Sequence, residues 1–138
     1  MSKPSAITAL ISFEEYQSVI TTGTSIIKFS SAWSTSCKRI AGSYELLANT
    51  NSNVQFYEVN IDKVPQVAIK EQIAAIPAFI IYHNGERLFS YFGANEQKIR
   101  EVFDTGLTYI DNKSILLTNY ANNKLSSLMI DDNSNLNI

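Results

Sequence analysis

The residues able to do chemistry are concentrated in one stretch, Ser30-Ser31-Ala32-Trp33-Ser34-Thr35-Ser36-Cys37-Lys38, which holds the chain's single cysteine. Apolar Ile26, Ile27 and Phe29 precede it, and Ile40, Ala41, Tyr44, Leu47 and Ala48 follow at helical spacing. A strand that runs directly into a helix leaves unpaired N–H groups and the positive end of the dipole facing the turn. Ser34 is a natural N-cap, which puts Cys37 in the first turn as about the third helical residue, a position that favours thiolate over thiol. Two chemistries suit such a turn. Either Cys37 exchanges thiol for disulfide, or the stretch is a reactive site from which one partner has been removed.

Around this stretch lie 138 residues with 45% apolar content, enough chain for one domain with a sizeable core. Eleven basic and thirteen acidic residues are spread evenly and give a net charge of −2. No basic cluster marks a nucleic-acid partner. No apolar run reaches the length of a membrane span, and Met1-Ser2-Lys3-Pro4 does not open a signal peptide, so the expected location is cytoplasmic, with the nucleus also open. One Cys forms no internal disulfide, as in a reducing compartment, and one Cys with one His makes no structural zinc site. No metal and no cofactor is expected.

Ala6–Ile11 is expected to form a first strand. Ser12 and Glu15 have the form of a capping box opening a helix to about Ile20, ended by Thr21-Thr22-Gly23. Ser25–Ser30 and Val54–Asn60 are the second and third strands, on either side of the helix that Ser34 caps. Asp62 is placed to cap a further helix at Val64-Pro65, with proline where its missing N–H costs nothing. Ile76–Tyr82 and Glu86–Phe92 are strands joined by Asn84-Gly85, a strong hairpin signal. Glu96 to about Tyr109 is amphipathic. The order predicts an α/β domain over residues 1–110. Parallel pairs with crossover helices, plus an antiparallel edge, make a mixed five-stranded sheet with helices on both faces. Residues 111–138 form a C-terminal extension. Within it, Ile115–Ile130 is expected to be one more helix, packed through Ile115, Leu116, Tyr120, Leu125, Leu128 and Met129, before an unstructured end at Asp131–Asn135.

From Ala6 to Leu107 the chain resembles thioredoxin. The matching pieces are Phe29, Ala32-Trp33, Cys37-Lys38, Ile40-Ala41, Val59-Asn60-Ile61-Asp62, Ile76-Pro77, Asn84-Gly85-Glu86 and Gly93-Ala94, in that order. The resemblance implies the thioredoxin fold, a cis Pro77 facing the active-site turn, and a groove in which Ile76 and Pro77 meet an extended peptide beside Trp33 and Gly93. The departures are as informative. Thioredoxins carry Trp-Cys-Gly-Pro-Cys where this chain has Trp33-Ser34-Thr35-Ser36-Cys37, so Ser34 stands at the attacking cysteine and Cys37 at the resolving one. A serine hydroxyl with no adjacent base does not exchange with disulfides. Gly42 replaces the proline that kinks the family's helix. The family's buried carboxylate and its lysine partner on the next strand fall at Lys28 and Glu58, with the charges exchanged. Both residues sit mid-strand among apolar neighbours, so they are expected to form a partly buried ion pair.

The lone second cysteine is similar to the thioredoxin-like domain that precedes the glutaredoxin domain of multidomain monothiol glutaredoxins, a domain associated with protein docking. The resemblance therefore implies a protein-binding, redox-related adaptor without dithiol disulfide reductase activity. Its partner would be a protein held in the groove around Trp33, Ile76, Pro77 and Gly93. The alternative is a monothiol thiol–disulfide oxidoreductase acting through Cys37 in cell redox homeostasis. His83, before the Asn84-Gly85 turn, is expected to be a solvated loop residue.

Overall fold

The computed structural model describes residues 5–136, with side chains described through Ser127. Its elements are β1 (Ile7–Leu10), α1 (Phe13–Val19), β2 (Thr24–Ser30), α2 (Thr35–Thr50), β3 (Gln55–Asn60), α3 (Pro65–Lys70), β4 (Ala78–His83), β5 (Glu86–Phe92) and α4 (Glu96–Leu136). The strands form one five-stranded sheet in the order β1-β3-β2-β4-β5. β3 runs parallel to β1 and β2, whereas β4 is antiparallel to both β2 and β5.

The reversal of β4 against β2 corrects the expectation of parallel pairs throughout the alternating part. A parallel return needs a crossover that carries the chain back along the whole strand. α3 is six residues long, and the chain re-enters the sheet at the end it left. Ala78, the first residue of β4, pairs with Phe29, which also pairs with Val59 near the end of β3.

Strand side chains alternate between the two faces, and both faces are covered. Ile27, Phe29, Val59, Ala78, Ile80 and Tyr82 join Tyr16 of α1 and Val67 of α3 in one buried cluster. On the other face, Tyr44 of α2 meets Phe56 and Phe79 with ring centroids 5.6 and 5.5 Å apart, and Phe56 stacks on Phe103 at 5.6 Å. Any charge in the middle of β2 is therefore shielded from both sides.

Short-range signals act as their spacing requires. Ser12 Oγ accepts the Glu15 N–H at 3.1 Å, and the Glu15 carboxylate accepts the N–H of Ile11 at 2.8 Å, closing the box one residue upstream of the cap. Asn84 and Gly85 both have positive φ, 48° and 86°, as a two-residue hairpin turn demands. α2 runs unbroken through Gly42. Two expectations need correction. Val64, not Asp62, precedes α3, and no side chain caps it; the Asp62 carboxylate instead accepts the Ser31 hydroxyl. His83 is a half-buried strand residue, with Nδ1 2.9 Å from Thr24 Oγ1.

Contacts divide the chain into one unit ending at Gly106 and a second from Leu107 to Ile138. The extension belongs to α4, which spans 41 residues and takes in the backbone of Asp131–Asn135. Ile115, Leu116, Leu117, Tyr120 and Leu125 all lie on α4 within the second unit. Successive helical residues are about 100° apart, so three consecutive apolar residues spread around the helix instead of forming one stripe. The side chains of Leu128 and Met129 lie outside the described residues. Among the described residues, no helix is long and apolar enough to cross a membrane.

The buried tyrosines set an alkaline limit on this fold. Burial pushes the Tyr44 hydroxyl well above its ordinary range, and the charge of Glu58 adds to it. Tyr82 is raised in the same way by burial and then by Glu71. Unfolded phenols ionise near pH 10, so above that pH the unfolded state binds fewer protons than the folded state and stability falls as pH rises. Each such tyrosine contributes a slope of about 1.4 kcal/mol per pH unit between its unfolded and folded values. Urea titrations at pH 8 to 11 should show a flat region followed by this decline, and Tyr44→Phe should decline less steeply. Equal slopes in the two proteins would remove Tyr44 from the account.

Candidate functional site

β2 delivers the chain to the turn at Ser30, and the turn is tied before α2 begins. The Ser34 N–H donates to the Ser31 carbonyl at 3.3 Å, and the Ser31 hydroxyl donates to the Asp62 carboxylate. Ser34 is the N-cap of α2, and its Oγ accepts the N–H of Cys37 at 3.2 Å. That bond satisfies one of the helix's free donors. Ser34 is only 7% exposed and Cys37 5%, while Trp33 between Ala32 and the cap is 70% exposed. His83, the chain's one imidazole, lies at the end of β4 remote from this turn, since Ala78 is the β4 residue that pairs with Phe29. No imidazole therefore stands beside Ser34 to act as its base.

Beside the turn is a depression of about 360 Å³ lined by Trp33, Ser34, Ile61, Ile73, Ala74, Ala75 and Ile76. It is predominantly aliphatic, with the Trp33 indole as its one aromatic wall. The Ile76–Pro77 bond is cis, and Pro77 is buried. The Pro77 carbonyl accepts the Gly93 N–H at 2.9 Å, which fastens the end of β5 to the segment that enters β4. Gly93 has φ +149°, a backbone conformation that residues with a side chain rarely adopt, so the position calls for glycine. Trp33, Ser34 and Ile76 thus share the depression, while Pro77 and Gly93 hold the backbone next to it.

Lys28 and Glu58 face each other in register across β2 and β3, with Nζ and Oε2 3.4 Å apart. Their side chains are 6% and 40% exposed, so the lysine is the shielded partner and the carboxylate reaches water. The Lys28 ammonium also stands 5.1 Å from the centre of the Tyr44 ring, an electrostatic contact with the ring face. The pair and Cys37 belong to a second cavity of about 350 Å³, whose lining also includes Ser31, Lys38, Asn60 and Lys63. Among the described residues, no three His, Cys, Asp or Glu side chains are grouped to hold a metal ion.

Several contributors had no sequence signal. Ile61 and Ile73–Ala75 reach the Trp33 depression from separate loops, and nothing in their spacing links them to Trp33. Asp62 was legible only as a helix cap. Its actual role, anchoring Ser31 at the start of the turn, joins residues 31 positions apart. Lys38 and Lys63 come together only because β3 lies beside β2.

With this geometry in view, comparison with known proteins is decisive for the family. The family model described as Thioredoxin matches residues 7–105. The chain is 34% identical to Thioredoxin AMT13 of Alternaria alternata over 118 residues, covering 81% of this chain and all of that protein. It is 32% identical to Thioredoxin-2 of Saccharomyces cerevisiae over 97 residues, covering 69% of this chain and 93% of that one. Among solved structures, Plasmodium falciparum thioredoxin superposes with a TM-score of 0.69 at 31% identity, covering 71% of this chain and 97% of that structure. The strand order, the turn at the N-terminus of α2 and the extent of these matches make the chain a member of the thioredoxin family, with one sulfur at the turn.

Proposed function

We propose that this chain is a protein-binding, redox-related member of the thioredoxin family that lacks dithiol disulfide reductase activity. The observation that carries the reading is Ser34. It occupies the helix N-cap, where its oxygen accepts the Cys37 N–H, and leaves the chain with a single thiol that is itself buried. Reduction of a disulfide needs one thiolate to attack and a second to release the mixed disulfide, and one sulfur cannot do both. The exposed Trp33 and the aliphatic depression beside it supply a surface for an extended peptide, with Ile76, Pro77 and Gly93 forming the adjacent backbone edge. This is the division of labour that resembles the docking domain of monothiol glutaredoxins, and the cytoplasm is the location it suits.

A second reading is supported by the relatives, which are named thioredoxins. In it, the Cys37 thiolate attacks a protein disulfide, forms a mixed disulfide and expels the other sulfur as a thiolate, to be released by an external thiol.

Capture of bound protein on the immobilised chain tests the first reading. Trp33→Ala should abolish capture of the partner. Its stability should change by less than about 0.5 kcal/mol, because an exposed side chain contributes little to folding. In insulin reduction the unaltered chain should not exceed the background set by the reductant. Trapping of insulin on Cys37 as a mixed disulfide, unaffected by Trp33→Ala, would favour the second reading.

A further inference from the structure

We propose, resting on the reading of the Trp33 depression as a peptide surface, that Glu71 is the residue that positions its wall. A buried network joining α1, α3, β4 and β5 through Glu71 fixes the turn from which that wall springs. Four of the seven lining residues, Ile73, Ala74, Ala75 and Ile76, follow one another directly after Gln72. Gln72 has φ 55°, the left-handed conformation that glycine or asparagine ordinarily supplies at a helix end. A residue with a long side chain stays in that region only where its surroundings over-determine the backbone. The six residues of α3 do not supply this by themselves, because so short a helix is marginal on its own.

The hold comes from Glu71, which ends α3 and is 8% exposed. Arg87 Nη1 donates to the Glu71 carbonyl at 2.7 Å and to its Oε2 at 3.0 Å. The Tyr16 hydroxyl donates to Oε1, and the Tyr82 hydroxyl stands 3.2 Å from that of Tyr16. Both the backbone and the side chain of the residue before the turn are thus tied to other elements, to β5 through Arg87 and to α1 and β4 through the tyrosines. Arg87 reaches this position through a β-bulge. Phe89 pairs with Ile81 and Arg87 with Tyr82, so Leu88 is left over. Arg87 and Phe89, two residues apart, would otherwise share a face of the sheet; the extra residue turns Arg87 to the face of Tyr82 and Tyr16. None of the four network residues lines the depression, so they act on it only through the Gln72 turn.

Native-state amide hydrogen exchange of the full chain tests this without a partner, and so independently of whether the surface binds a peptide. The reporters are the N–H groups of Gln72 and Ile73, bonded to the carbonyls of Ile69 at 3.2 Å and Ala68 at 2.9 Å. Arg87→Leu should accelerate both about tenfold, equivalent to about 1.4 kcal/mol of local opening free energy and on the scale of one hydrogen bond to a charged group. Tyr44→Phe removes the hydroxyl that bonds the Ile26 and Tyr57 carbonyls on the opposite face of the sheet, and should leave the two reporters unchanged. In a Gln72→Gly background, where the turn needs no outside hold, the effect of Arg87→Leu on Ile73 should fall to about threefold. If Arg87→Leu does not fold, Glu71→Ala lets Arg87 turn to water and should accelerate the same two amides. Unchanged exchange at Gln72 and Ile73 would overturn the proposal. An equal acceleration by Tyr44→Phe would overturn it too, as would a tenfold effect undiminished in the Gln72→Gly background.

Discussion

Ser34→Cys should convert the chain into a catalytic disulfide reductase, with insulin reduction at least about a hundredfold above the unaltered chain, because an intramolecular second thiol acts at an effective molarity no free thiol reaches. The new sulfur would occupy the N-cap of α2, where the free N–H groups and the dipole favour a thiolate. It would attack the substrate disulfide and expel one substrate sulfur as a thiolate. Cys37, one helical turn on, would then attack the mixed disulfide, release the second substrate thiol and leave an internal disulfide for the reductant to reopen. The side chain at 34 already touches the Cys37 N–H at 3.2 Å, so the two positions are in reach. Absence of any gain, in a variant that forms the internal disulfide, would mean that the site has drifted beyond the loss of one atom. The exchanged charges at Lys28 and Glu58 would then be the first suspects, because an ammonium cannot accept the proton that a carboxylate could. Catalytic turnover by the unaltered chain would end the account altogether.

Removing one partner of the Lys28–Glu58 pair should be far more damaging than replacing the buried one with an apolar side chain. Glu58→Ala leaves the Lys28 ammonium, 6% exposed, with only the Tyr44 ring at 5.1 Å to stabilise it. Losing one member of a fully buried pair costs about 3–5 kcal/mol; with the Glu58 side chain 40% in water, about 2 kcal/mol is expected. Lys28→Met fills the same space without a charge and leaves Glu58 free to hydrate, so its stability should lie within about 1 kcal/mol of the unaltered chain, on either side. Urea unfolding of the two variants at neutral pH makes the comparison. If Lys28→Met proved as destabilising as Glu58→Ala, the pair would be a net support of the fold and not a tolerated exchange.

The Ser34 cap, the Ser12 cap and the Asn84-Gly85 turn depend on hydrogen bonds spanning two to four residues, and residue types at that spacing suffice to specify them. The mixed five-stranded α/β sheet was legible as well, since alternating strands and helices leave few arrangements that cover both faces. The direction of β4 was not legible. It depends on where the chain re-enters the sheet after a six-residue helix, and no pattern within the helix encodes that point. Asp62 and His83 were misassigned for a related reason, because their partners, Ser31 and Thr24, lie 31 and 59 positions away.

By itself the amino-acid sequence determined the fold class, the position of the turn and the decisive chemical fact, a single thiol with Ser34 three residues before it. Tertiary structure alone decided exposure. It buried Cys37 and Lys28, left Trp33 in water, and drew Lys38 and Lys63 to one cavity. Spacing fixes which atoms a residue can reach along its own helix or turn, whereas burial and charge crowding depend on which strands become neighbours.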